Sequence, residues 1–126
     1  MTPGITLDAG GLIAVDRDDR SVIVLLTRAT EVGARITVPA GALAQAIRRP
    51  DRQVRLARLV RQPNADVVAL DRLDATNVGR LLSASGTADV VDAHVVICAR
   101  RANQRVLTSD AGDLRLLDPQ LEVVEV

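Results

Sequence analysis

Two aspartates open an otherwise apolar run, Gly86-Thr87-Ala88-Asp89-Val90-Val91-Asp92-Ala93-His94-Val95-Val96-Ile97-Cys98. Three residues apart, Asp89 and Asp92 fall on one face of a helix. The valines and Ile97 around them are too many for one stripe, so this helix is expected to be buried on most sides. Neighbouring carboxylates repel, and burying them unpaired is costly. Either the free N–H groups of a helix N-terminus offset that cost, with Thr87 as the expected N-cap, or a bound cation does. The same chemistry recurs twice. Asp8 ends the β-like run Ile5-Thr6-Leu7, just before Ala9-Gly10-Gly11, and Asp110 follows Arg105-Val106-Leu107-Thr108, with Asp113 a turn beyond it. One aspartate after a strand is ordinarily a cap or turn residue. Four converging ones suggest a site for Mg²⁺ or Mn²⁺, whose hard character suits oxygen ligands and whose pairs serve phosphodiester chemistry.

Other reactive types carry less. His94 lies about 200° round the helix from Asp92 and is expected on the surface or in the core, away from the acids. Cys98, the one cysteine, lies in an apolar run and is expected to be a core residue. The chain has no phosphate loop, CxxC, HExxH or nucleophile elbow. Arg48, Arg49, Arg52, Arg55, Arg58 and Arg61 fall within fourteen residues, with Asp51 the sole acid among them. Arg52, Arg55 and Arg58 step by three, which makes a basic ridge: either a solvated face or a contact for phosphate or a partner.

Elements must bring these groups together. Strands are expected at Ile5–Leu7, Arg35–Val38, Asp66–Leu70, Arg105–Thr108 and Leu121–Val126. Gly10-Gly11 suggests a strand-to-helix turn. Helices are expected from Asp19 to Val32 with Gly33 beyond the end, from Pro39 in a first turn to near Pro50, and from Asp51 as cap to Arg61. Others should run from Asp71 to Leu82, from the Asp89/Asp92 start to Ala102, and through Leu117. Alternating strands and helices imply a parallel sheet covered on both faces. Right-handed crossovers put all strand C-terminal ends on one edge, where ligands of such folds bind. A helix packed antiparallel to its following strand begins at that edge, so Asp89 and Asp92 should lie beside Asp8 and Asp110.

At 126 residues the chain is expected to form one domain, residues 1–126, with ordinary apolar (48%) and charged (25%) content for a globular protein. No apolar run approaches the ~20 residues that span a bilayer, so no membrane partner is expected. The N-terminus lacks a signal-peptide layout, and a lone cysteine cannot close an internal disulfide, so the expected location is cytoplasmic. There is no Phe, Tyr or Trp, which excludes readers that stack bases on aromatic rings. Formal net charge is zero, so no global field draws a polyanion.

Four segments resemble the four motifs of PIN domains in order and spacing: Leu7-Asp8-Ala9-Gly10-Gly11-Leu12-Ile13, Val38-Pro39-Ala40-Gly41-Ala42-Leu43-Ala44-Gln45, Asp89-Val90-Val91-Asp92-Ala93, and Leu107-Thr108-Ser109-Asp110. The length is similar to that of the stand-alone toxins of bacterial VapBC toxin–antitoxin pairs. The resemblance implies a three-layer α/β/α sandwich on a five-stranded parallel sheet in the order 3-2-1-4-5, with Asp8 and Asp110 on adjacent strands. It implies a Mg²⁺- or Mn²⁺-dependent endoribonuclease, homodimeric and neutralised by a small antitoxin. Asp8, Asp92 and Asp110 would be catalytic, Asp89 and Asp113 further metal-site members, and Arg48, Arg52, Arg55 and Arg58 contacts for flanking RNA phosphates. Two positions depart from the pattern. Gln45 stands where the family usually has a Glu, which would make it a neutral supporting residue of the site, and Gly10 stands where a small polar residue is common. Gln45 also leaves open a PIN-like binding protein without nuclease activity. A small metal-dependent phosphatase with Asp8 as nucleophile is disfavoured, because the aspartate expected two residues later is Gly10.

Overall fold

The computed structural model describes residues 4–126. Five short strands, β1 (Ile5–Leu7), β2 (Ile36–Pro39), β3 (Ala65–Val68), β4 (Arg105–Thr108) and β5 (Val123–Glu125), pair in the order β3-β2-β1-β4-β5, all parallel. β1 lies at the centre, with Thr6 opposite Thr37 on one side and Val106 on the other. Its three residues are all buried, as expected of a parallel strand covered on both faces, whereas the edge strand β3 is partly exposed. Buried Thr6 also donates from Oγ1 to Gln104 Oε1 at 2.8 Å, which ties the start of β4 to β1.

Seven α-helices connect the strands: α1 (Ala9–Asp16), α2 (Arg20–Glu31), α3 (Ala40–Ala46), α4 (Val54–Arg61), α5 (Arg72–Ser85), α6 (Val90–Ala102) and α7 (Ala111–Leu117). α1 packs on β4, α3 and α4; α6 packs across β1 and β2, with α5 against its outer side. The core is wholly aliphatic, with Leu7, Leu12, Ile36, Val38, Val95 and Val96 fully buried in it. The aromatic-free composition is therefore compensated by many small branched side chains, each contributing about 1.5–3 kcal/mol when fully buried. No single helix among the described residues is long and apolar enough to cross a membrane; α5 and α6 pass such a test only as a pair bent by 109°.

Several boundaries differ from the sequence reading. Gly10 and Gly11 are not merely a turn; they form the first turn of α1. Glycine is a poor helix former, but here Asp8 caps the helix and space is short. A Cβ on Gly11 would lie 2.6 Å from the Leu107 carbonyl oxygen, and one on Gly10 would lie 2.9 Å from Ser109 N. Pro39 ends β2 instead of starting the helix. The expected helix from Asp51 is broken: Pro50–Arg52 is a 3-10 turn, Gln53 leaves helical geometry (φ −104°, ψ 55°), and only then does α4 begin. Thr87 is not the cap of α6; Asp89 is, and the Thr87 hydroxyl is 2.9 Å from that of Ser85. The third strand begins one residue earlier and ends at Val68, and the last strand keeps only Val123–Glu125 of the expected span. Asp19 and Asp71 cap their helices, and Gly33 and Gly86 take positive φ, as the sequence patterns predict for Gly33.

Candidate metal centre

Asp8 follows the central strand directly and is 7% exposed. One oxygen accepts the Gly11 N–H at 2.9 Å, the N-cap bond of α1. The other accepts a hydrogen bond from Thr108 Oγ1, at the end of the neighbouring strand β4. That same hydroxyl accepts the Asp110 N–H at 2.9 Å. Thr108 is fully buried, so its hydroxyl can serve both groups without competing water. It fixes Asp8 and Asp110 relative to one another. Sequence reading did not single it out: the signal was present in Thr108-Ser109-Asp110, but its partner lies 100 residues away. Burial raises the Asp8 carboxyl above its ordinary value, opposed by the Thr108 and Gly11 hydrogen bonds, with the Asp110 charge a smaller raising influence.

Asp89 and Asp92 open α6. Asp89 is the N-cap and accepts the Asp92 N–H at 2.9 Å. Asp92, in the first turn, has its carboxyl pushed up to about 6, first by burial and then by Asp89, Asp8, Asp113 and Asp110. Those four charges are all carboxylates, and they come from the end of β1, the start of α6 and the start of α7. Asp110 caps α7, with Asp113 N 3.4 Å from its Oδ1. Hydrogen bonding to Asp110, then its charge, raises the Asp113 carboxyl. Asp89, Asp92 and Asp113 also line one hollow of about 170 Å³ with Thr87, Ala88, Leu116 and Leu117. The five predicted acids thus gather at one edge of the sheet, where the other four all act on Asp92, without any three of them bringing ligand atoms within 4.8 Å of one another among the described residues. A donor set of carboxylate oxygens alone fits a hard divalent cation such as Mg²⁺ or Mn²⁺.

The remaining candidates are Gln45 and the arginines. Gln45 lies on α3, exposed. The basic ridge is not one surface, because the helix break at Gln53 divides it: Arg48 and Arg52 line one hollow, and Arg55 and Arg58 another, between α2 and α4. Arg55 Nε is 3.5 Å from Asp18.

Sequence reading also missed a second polar group. Asp74 of α5 and His94 and Cys98 of α6 are buried together, their ligand atoms within 4.8 Å of one another, the compact donor group among the described residues. His94 Nε2 lies 2.8 Å from Asp74 Oδ2 and 3.5 Å from Cys98 Sγ. One nitrogen therefore faces both neighbours. A nucleophile relay needs them on opposite nitrogens, so the group is not one. Arg101 gives Asp74 two further bonds, at 2.7 and 3.1 Å. Those bonds, ahead of the His94 contact, hold the Asp74 carboxyl at about 2, while burial pushes the Cys98 thiol up to about 11. The guanidinium already balances this carboxylate, and the group acts as a clasp between α5 and α6. The acidic edge shows the opposite balance, with carboxylates acting on carboxylates.

No protein-family model matches the chain, and no curated protein matches it. Solved structures do. The chain is similar to one in the structure of FitAB bound to an IR36 DNA fragment, with a TM-score of 0.65, 15% identity, and coverage of 96% of this chain and 94% of that one. It is similar to a chain of VapBC2 from Rickettsia felis bound to a DNA fragment from its promoter, with a TM-score of 0.65, 12% identity, and coverage of 98% of each. A chain of FitAcB from Neisseria gonorrhoeae aligns with a TM-score of 0.62, 15% identity, and coverage of 96% of each. Over nearly all of its length the protein has a PIN-like fold, an α/β/α sandwich on a five-stranded parallel sheet in the order 3-2-1-4-5.

Proposed function

We propose that the protein is a Mg²⁺- or Mn²⁺-dependent endoribonuclease of the VapC toxin type. The observation that carries this reading is the convergence of Asp8, Asp89, Asp92, Asp110 and Asp113 on one edge of the sheet, with carboxylates as the main charges acting on Asp92. A divalent cation held there, chiefly by Asp8, Asp92 and Asp110, would supply Lewis acidity toward a phosphodiester and lower the pKa of water. The chain's own contribution is positioning. Thr108 locks Asp8 in one rotamer, the α1 cap bond fixes its second oxygen, and the Asp89 cap sets the first turn of α6 that carries Asp92. Both Asp8 and Asp92 are partly desolvated, which strengthens their hold on a cation.

The similarity to chains of VapBC2 and FitAB supports a small antitoxin as partner; a homodimer in the cytoplasm completes the reading. The test is cleavage of a mixed RNA pool by the purified chain with and without Mn²⁺, beside an Asp92→Asn variant. Cleavage that needs the metal and is lost in the variant is the expected result. Cleavage that survives Asp92→Asn would overturn the site, and activity confined to small phosphate esters would favour a phosphatase. The neutral Gln45 favours a second reading, a PIN-like binding protein whose site lacks one charge. A wild type that is inactive but acquires cleavage in Gln45→Glu would support it.

A further inference from the structure

The helix break at Gln53 regroups the arginines of the basic segment. Arg48, Arg49 and Arg52 line one hollow of about 410 Å³, and Arg17, the C-cap residue of α1, closes it from across the fold. Four arginines and one carboxylate, Asp16, line it, in a chain whose formal net charge is zero. None of the four has an ion pair among the described residues, which they share with every arginine except Arg35, Arg55, Arg100 and Arg101.

The hollow is built on a buried residue. Gln53 is 8% exposed, and its Oε1 accepts the backbone N–H groups of Arg48 and Arg49 at 2.9 and 3.0 Å. Its Nε2 donates to Ala46 O at 2.8 Å and to Asp16 Oδ2 at 3.4 Å. The segment bearing Arg48 and Arg49 is therefore pinned to the ends of α3 and α1, which lowers the entropy lost when a ligand binds. Crowded, unpaired like charges on such a support are explained by an anion that forked guanidiniums can grip.

We infer that this hollow is a seat for a backbone phosphate of a single-stranded nucleic acid, separate from the acidic edge. Phosphate is favoured over an acidic protein segment because the lining offers only Ile13 and Ala46 as apolar contacts, too few to anchor a protein. With no aromatic side chain in the protein, bases have no ring to stack on, so affinity must come from the backbone. The position also suits a strand, a point that rests on the nuclease reading. Asp8 caps one end of α1 and Arg17 closes the other, so eight residues, about 12 Å, separate acid from base along the helix.

The test is binding of a fluorescent single-stranded oligouridylate by the full chain in EDTA, across a salt series. The variants are Arg17→Gln/Arg49→Gln/Arg52→Gln and, outside the hollow on α5, Arg72→Gln/Arg80→Gln. The triple variant should lose affinity, and its slope of log affinity against log salt should flatten by about 0.7, the value for one phosphate contact. The double variant should keep the wild-type slope. If the triple variant melts early, the single Arg49→Gln variant should still lower affinity and flatten the slope by part of that amount. No oligouridylate binding by wild type, an unchanged slope in the hollow variants, an equal loss in the double variant, or tighter binding of polyglutamate would each overturn the inference. Hollow-dependent binding without Mn²⁺-dependent cleavage would sink the nuclease reading and leave the seat standing. Cleavage with hollow-independent binding would do the reverse.

Discussion

Thr108 spends one hydroxyl on two clients, and that makes it a sensitive single residue. Thr108→Val keeps the shape but leaves the buried Asp8 carboxyl without its donor and the Asp110 N–H without its acceptor. The expected cost is about 2–4 kcal/mol in urea unfolding. Thr108→Ser retains the hydroxyl and should cost no more than about 1 kcal/mol. Equal losses in both variants would mean that packing, not the hydroxyl, is what matters. Gln45→Glu tests the other end of the constellation. If Gln45 reaches the acidic edge, the added charge should tighten Mg²⁺ binding by calorimetry and lower the melting temperature of the metal-free protein. No change in either removes Gln45 from the site. At this scale Asp8 and Asp110 were legible because a residue ending a strand is placed by topology. Thr108 and Asp74 were not, because what they do is set by partners that folding alone brings near.

The glycine pair at the start of α1 shows how an element is positioned by what it lacks. Gly11→Ala would put a methyl 2.6 Å from a backbone oxygen of β4, which cannot swing aside. We expect a loss of about 1–3 kcal/mol, together with displacement of the Asp8 cap. Gly79→Ala, inside α5 with nothing within 4 Å of the new carbon, should instead stabilise by about 0.5–1 kcal/mol. A thermal melt of both variants checks the contrast. Most helices were legible through their caps and apolar spacing, but α1 was hidden by this same pair, since propensity argues against glycine and only packing on β4 requires it. The helix break at Gln53 was hidden for a related reason. The arginine spacing is helical on either side, and nothing local reveals that Gln53 turns inward to satisfy Ala46, Arg48 and Arg49.

For the molecule as a whole, the acidic edge and the α5–α6 clasp pull stability in opposite directions with pH. The Asp92 carboxyl is raised from 3.8 to about 6 in the fold. Its proton is bound more tightly folded than unfolded, so this stabilisation is complete below about 3.8 and is lost as pH rises through about 6. The Asp74 carboxyl is lowered to about 2, so its stabilisation is present above 3.8 and fades as pH falls toward 2. The metal-free protein should therefore melt higher at pH 5 than at pH 7.5, and Asp92→Asn should flatten that difference. Mn²⁺ held by Asp92, as proposed, would compete with its proton, so the added stabilisation should be larger at pH 7.5 than at pH 5. A Mn²⁺ effect of equal size at both values would place the metal away from Asp92.

The pairing of β1 with β4 also sets a clock on synthesis. A nascent chain emerges N-terminal end first, so β1 and β2 are available early, but the centre of the sheet stays open until Arg105–Thr108 has left the ribosome. Until then Asp8 has no Thr108 to lock it, and Asp110 does not yet exist. The contact that completes the acidic edge spans 100 residues, the kind of distant closure that folding reaches late. On the proposed reading, an enzyme that cuts RNA is made by a machine of RNA, reading RNA. This topology withholds the finished site from a growing chain until β4 and the start of α7 have been made.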